Sequence, residues 1–144
     1  MNIKECFEKR LLRNASPDRL KSNKALEMSD RALEQAEKLM EHGFYEQVIL
    51  YSYTAMFQGA RVLLYKDGIT EKSHYCVIEY LKQNYVQSGK LNQSHVYWLD
   101  TYRIERHETL YGLESIVVNE KDACEALKSA TGFLKEILRL VGDK

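Results

Sequence analysis

Residues 44–66, FYEQVILYSYTAMFQGARVLLYK, decide the fold, because they are apolar on most of a helical circumference and contain no helix breaker other than Gly59. Val48, Ile49, Leu50, Ala55, Met56, Phe57, Ala60, Val62, Leu63 and Leu64 leave only one main polar seam, Gln47, Thr54, Gln58 and Arg61. A helix that is hydrophobic nearly all round has to be surrounded by other elements. It therefore predicts a central helix, ending at Asp67-Gly68, with amphipathic neighbours packed on several sides.

Those neighbours are legible on both sides. Residues 2–13 read as a short leading helix. Ser16-Pro17-Asp18 supplies an N-cap, a first-turn proline and an acidic first turn for a helix carrying Ala25, Met28, Ala32, Ala36, Leu39 and Met40 toward Gly43. Ser73 caps a third helix reaching about Gln87, and Gly89 breaks it. Asn92 or Ser94 starts a fourth that ends near Gly112, and residues 113–118 read as an extended connector. Asn119 with Asp122 starts a last helix whose Ala123, Ala126, Leu127, Ala130, Leu134, Ile137, Leu138 and Val141 form one stripe. No segment shows the sustained alternation of a sheet. The expected fold is all-α: an up-and-down antiparallel bundle of about five helices, in a single domain spanning residues 1–144.

Lys plus Arg and Asp plus Glu each total 21, so no global field favours nucleic acid or membrane, and any anion site must be locally basic. Cys6, Cys76 and Cys124 lack Cys-x-x-Cys spacing, which suits a reduced chain in the cytoplasm. No run approaches transmembrane length and no leading segment resembles a signal peptide. His42, His74, His95 and His107 are never three or four residues apart, so neither a metal nor another cofactor is expected.

The fourth helix breaks the pattern of the others. Val96, Leu99, Arg103, His107 and Leu110 fall on one stripe, with Arg106 and Tyr111 on its shoulders, placing charge where the seam should bury. Departures from local rules concentrate at functional sites. Two guanidiniums, an imidazole and a phenol suit an anion such as phosphate. The competing interpretation pairs Arg103 and His107 with Asp100, Glu105, Glu108 or Glu114 to settle a helix or dimer seam. Lys72-Ser73-His74 at a helix start could add a phosphate contact, or Ser73 could simply cap. Arg61 suits a ligand role and a structural pairing about equally.

Three segments, Ser52 through Leu64, Gly68 followed by Glu71-Lys72-Ser73-His74, and Leu99 through Gly112, resemble the HEPN domain in order and separation. The resemblance implies a small helical bundle that commonly forms a homodimer, often partnered by a small nucleotidyltransferase in two-component, toxin–antitoxin-like systems. Some members are metal-independent RNases with an Arg, usually a polar residue next, and a His after four to six intervening positions. Here three residues separate Arg103 from His107, Ile104 follows the arginine, and the register from Arg106 ends at Tyr111. The expected activity is accordingly nucleotide or RNA phosphate binding by Arg61, Lys72, Ser73, His74, Arg103, Arg106, His107 and Tyr111. The alternative is an RNase toxin using Arg103, Arg106 and His107.

Overall fold

The computed structural model describes residues 1–113 and 117–142. It contains six α-helices, α1 Ile3–Glu8, α2 Arg19–Glu41, α3 Tyr45–Asp67, α4 His74–Leu81, α5 Gln93–Tyr111 and α6 Glu120–Val141, and two strands, β1 Leu12–Asn14 and β2 Ile69–Glu71. This is the all-α bundle that the periodicity predicts. As expected, α3 is its axis, packed against α2, α4, α5 and α6. Val48, Met56, Ala60 and Leu63 are wholly buried on it, and each large aliphatic side chain so removed from water contributes about 1.5–3 kcal/mol.

Small residues set how closely the helices approach. The face of α2 against α3 is Ser22, Ala25, Ser29, Ala32 and Ala36, while Met28, expected in that stripe, is exposed. Ser22 Oγ donates to the Val62 carbonyl at 2.9 Å and Ser29 Oγ to that of Ala55 at 2.7 Å. One residue number rises as the other falls, so α2 and α3 run antiparallel, as their short connection requires. On the far side of α3, a Cβ at Gly59 would lie 3.4 Å from both Ile137 and Phe133, which lets α6 pack directly against the α3 backbone.

Caps define most ends. Asp18, rather than Ser16, caps α2 through the Lys21 amide. Gly68 closes α3 in the left-handed conformation at φ +81°, Ser73 caps α4 and Asn92 caps α5. Asn119 and Asp122 form the reciprocal capping box of α6.

Three expectations need correction. The leading helix stops at Glu8, after which Arg10 takes φ +59° and the chain reverses into β1. β1 pairs antiparallel with β2, Leu12 opposite Glu71 and Asn14 opposite Ile69. Strands of three residues are too short to show alternation, so periodicity could not reveal them. The third helix is not uniformly α, because Lys82–Val86 forms a π-helical turn at its end. Finally, Cys6 and Cys76 are joined as a disulfide, their Cα atoms 5.9 Å apart. Seventy residues of sequence hid that pairing from a reading based on Cys spacing, and it contradicts the expectation of a fully reduced chain. The connector at 113–118 lies partly outside the described residues.

Candidate functional site

The buried face of α5 is Val96, Leu99 and Tyr102. This rotates the helix from the expected stripe. Arg103 and Arg106 sit half-buried on the flank toward α3 and α4, whereas His107, Leu110 and Tyr111 are exposed. The charged seam is thus a charged edge: aromatic Tyr102 fills the core position expected of Arg103, and the arginine is turned one residue away.

At that edge the structure assembles a cluster centred on His74, the first residue of α4. The ring stacks on Phe57 with centroids 3.9 Å apart and planes 15° from parallel. Its Nδ1 lies 2.6 Å from the Tyr53 hydroxyl. Tyr53 and Phe57 are one turn apart on α3, so one face of that helix supplies both the stacking partner and the hydrogen bond. Burial, reinforced by the charges of Arg106, Arg103 and Arg61, lowers the His74 pKa to about 4. Burial likewise pushes the Tyr53 phenol above its ordinary value, with Arg106 and Arg103 opposing the rise. At neutral pH the ring is neutral and the phenol protonated. The phenol and Nδ1 share one hydrogen bond, and in the tautomer in which the phenol donates, the ring hydrogen sits on Nε2.

The arginines differ in how far their charge is committed. Arg61 is held by its surroundings: Nε lies 3.3 Å from the Glu71 carboxylate, one terminal nitrogen donates to the Tyr65 hydroxyl, and the guanidinium rests over the Tyr65 ring. The Nε–H is not aimed at Glu71, so the contact is an ion pair without a linear hydrogen bond. Burial raises the Glu71 pKa, an effect that Arg61 offsets in part. Arg103 Nε donates to Asp100 at 2.9 Å, and its guanidinium lies 5.8 Å from the centre of the Tyr75 ring. Arg106 faces the Tyr53 ring at 5.8 Å and makes no ion pair among the described residues. Of the three, Arg106 retains the most capacity to bind an added anion.

The other candidate residues are placed differently. Ser73 Oγ accepts from the Cys76 amide, the ordinary capping bond, and Lys72 is exposed. His107 packs its ring against Tyr111, centroids 5.1 Å apart, on the solvent side of α5. The cluster therefore gathers His74, Arg103, Arg106 and, at its margin, Arg61, but not His107 and Tyr111. Phe57, expected only to pack, and Tyr53, to which the sequence assigned no role, are functional candidates in the structure. Their spacing of four residues on a buried helix was the available signal, but only the fold shows that His74 meets them. Two surface grooves, of about 530 and 570 Å³, lie at the start of α2 and beside β1, away from this cluster. Among the described residues no group of three His, Cys, Asp or Glu side chains could hold a metal, and no helix is long and apolar enough to cross a membrane.

The HEPN domain profile matches residues 22–140, from the first turn of α2 through nearly all of α6, and includes every residue of the cluster. The chain belongs to the HEPN family. It is also similar to the UPF0332 protein PH1297 of Pyrococcus horikoshii, with 26% identity over 117 residues, covering 81% of this chain and 82% of that protein. In this HEPN chain, the residues preceding the match include all of α1 and β1.

Proposed function

We propose that this HEPN protein binds the phosphate of a nucleotide or RNA at the α3–α4–α5 edge, with Arg106 as its principal anion ligand. The observation that carries the proposal is the half-buried Arg106 guanidinium, without a carboxylate partner among the described residues, beside the neutral His74–Tyr53 pair. Arg106 supplies a planar fork for two phosphate oxygens, and Arg103 can join it by exchanging Asp100 for the ligand. In the tautomer in which the phenol donates, His74 contributes an Nε2–H donor held in place by Phe57 and Tyr53. Lys72, Ser73 and Arg61 border the same edge. His107 and Tyr111 extend it along α5 as an exposed imidazole and a ring on which a base can stack.

The protein works as a homodimer formed through α5. Tyr97, Ile104 and Tyr111 recur along the outer face of that helix, and Leu110, Leu113 and Val117 lie at or beyond its end, all exposed. Large apolar side chains repeated every seven residues along one exposed helix face suit a contact with a second helix. Pairing through it would set two cationic edges near one another. A small nucleotidyltransferase is the proposed second component, as the family resemblance implies, and co-purification of the two chains tests it.

Isothermal titration with adenosine triphosphate and with a short single-stranded RNA tests the phosphate reading. Arg106→Ala should weaken binding by about 1.5–3 kcal/mol, the scale of a charge-assisted hydrogen bond, with the fold unchanged. Equal affinity of wild type and variant for both probes overturns it. The RNase alternative draws on one specific feature, the solvent-exposed imidazole of His107 immediately following Arg106. It requires RNA cleavage that persists in chelator and disappears in His107→Ala.

A further inference from the structure

The first fifteen residues form a strap outside the span that matches the HEPN domain, and little holds them in place. Only Cys6 and Leu12 are buried among them. α1 has six residues, a length that does not sustain a helix in isolation. The pairing of β1 with β2 covers three residues, and a two-stranded ribbon is marginal even when longer. Arg10 takes the left-handed conformation that a residue with a Cβ adopts only at a cost. Against these weak elements stands one strong one, the Cys6–Cys76 bond, which ties α1 to the first turn of α4.

That anchor borders the candidate site. Cys76 lies two residues after His74 and donates its amide to the Ser73 cap. The strap also meets the segment leading into α4: Lys72 N–H donates to the Leu11 carbonyl, Ala15 N–H to that of Gly68, and Leu12 stands opposite Glu71, the partner of Arg61. The Tyr75 hydroxyl donates to the Met1 carbonyl. One covalent link therefore fixes the strap, and the strap in turn lines the backbone that presents Glu71, Ser73 and His74.

We propose that Cys6 and Cys76 form a reversible thiol–disulfide site, taking a dithiol reductant, whose oxidised state clamps the N-terminal strap along β2 and the start of α4. A thiolate of the dithiol attacks one cysteine sulfur and expels the other as a thiolate, forming a mixed disulfide. The reductant's second thiolate then displaces the bound cysteine and closes the reductant's own disulfide. Two electrons and two protons pass to the protein, leaving two cysteine thiols. Both cysteines are fully buried, so exchange proceeds when α1 frays, a local opening that a six-residue surface helix undergoes far more readily than the bundle. Reduction removes the covalent anchor and leaves the strap held only by non-covalent packing: the buried Cys6 and Leu12 with the partly buried Ile3, Phe7 and Leu11. The effect on ligand binding rests on the phosphate reading above: a looser β2 and α4 start would present His74 less rigidly and weaken binding severalfold.

Amide hydrogen exchange on the full chain, oxidised with oxidised dithiothreitol and then reduced with dithiothreitol, tests the proposal. Thiol titration after denaturation should find one reactive cysteine in the first state, Cys124, and three in the second. The Leu11, Ala15 and Lys72 amides should exchange about tenfold or more faster after reduction, while Met56 and Leu63 in α3 stay protected. Cys6→Ser should show the fast pattern with or without reductant. Three reactive thiols in the oxidised sample, or identical exchange at Leu11 and Lys72 in both states, overturns the proposal. Titration of each state with the RNA probe separates the two readings. If exchange responds while neither state binds RNA, the phosphate reading falls and the redox site stands. If both states bind equally tightly, control of the cluster by the strap is overturned.

Discussion

Lowering the pH from 7 toward 4 should destabilise the protein chiefly through His74, with His95, whose pKa burial also lowers, acting in the same direction. The folded pKa of His74 is about 4, set first by burial and then by Arg106, Arg103 and Arg61, against 6.5 for the ordinary imidazole. Between those values the unfolded chain binds a proton that the folded one does not. The unfolding free energy therefore falls as pH falls through this window, with the full contribution present above 6.5 and lost below about 4. At 1.36 kcal/mol for each pKa unit the ceiling is about 3 kcal/mol, and partial solvent exposure of the ring halves it to roughly 1–2 kcal/mol. Glu71 and Glu105 act in the opposite direction, since burial raises both and makes the folded state the better proton acceptor. Comparison with His74→Gln removes that background. Urea unfolding of wild type and variant at half-unit pH intervals should give curves that converge as the pH drops from 6.5 to 4. NMR titration of the His74 ring should give a midpoint near 4, and adding a nucleotide should raise it, because a bound phosphate offsets the guanidinium charges that keep the ring neutral. A midpoint between 6 and 7 in the free protein, or parallel stability curves across the window, would refute the reasoning.

Two further perturbations probe the frame and the surface. Gly68→Ala should cost at least about 2 kcal/mol in chemical unfolding, because the new Cβ would stand 2.6 Å from the Ala15 carbonyl oxygen and 3.0 Å from the Pro17 nitrogen at φ +81°. Unchanged stability would show that the strap yields at no cost. Ile104→Glu, on the exposed face of α5, should convert the proposed dimer to monomer in sedimentation velocity at tens of micromolar while leaving the melting temperature of the monomer within a few degrees. Wild type that is already monomeric at that concentration would remove α5 pairing from the account.

By itself the sequence determined the helices and the axis of the bundle. The continuous apolar surface of residues 44–66, the stop at Gly68 and the capping residues Ser73, Asn92 and Asn119 act within a few positions of one another, so local spacing suffices to locate them, whereas the cap of α2 falls on Asp18 and not on the expected Ser16. The segments resembling a HEPN domain were legible for the same reason. Tertiary structure alone decided which face of α5 turns inward. Stripes through Arg103 and through Tyr102 lie one residue apart, and the choice depends on whether the burial of an aromatic side chain outweighs the desolvation of a guanidinium. That rotation sends His107 to solvent and leaves Arg106 over Tyr53. The same dependence on distant residues hid the remaining features. His74 acquires its stacking and its low pKa from Phe57, Tyr53 and three arginines on two other helices. The Cys6–Cys76 bond and the β1–β2 pairing join segments far apart in the chain. Such contacts exist only after the bundle has closed, and no local periodicity records them.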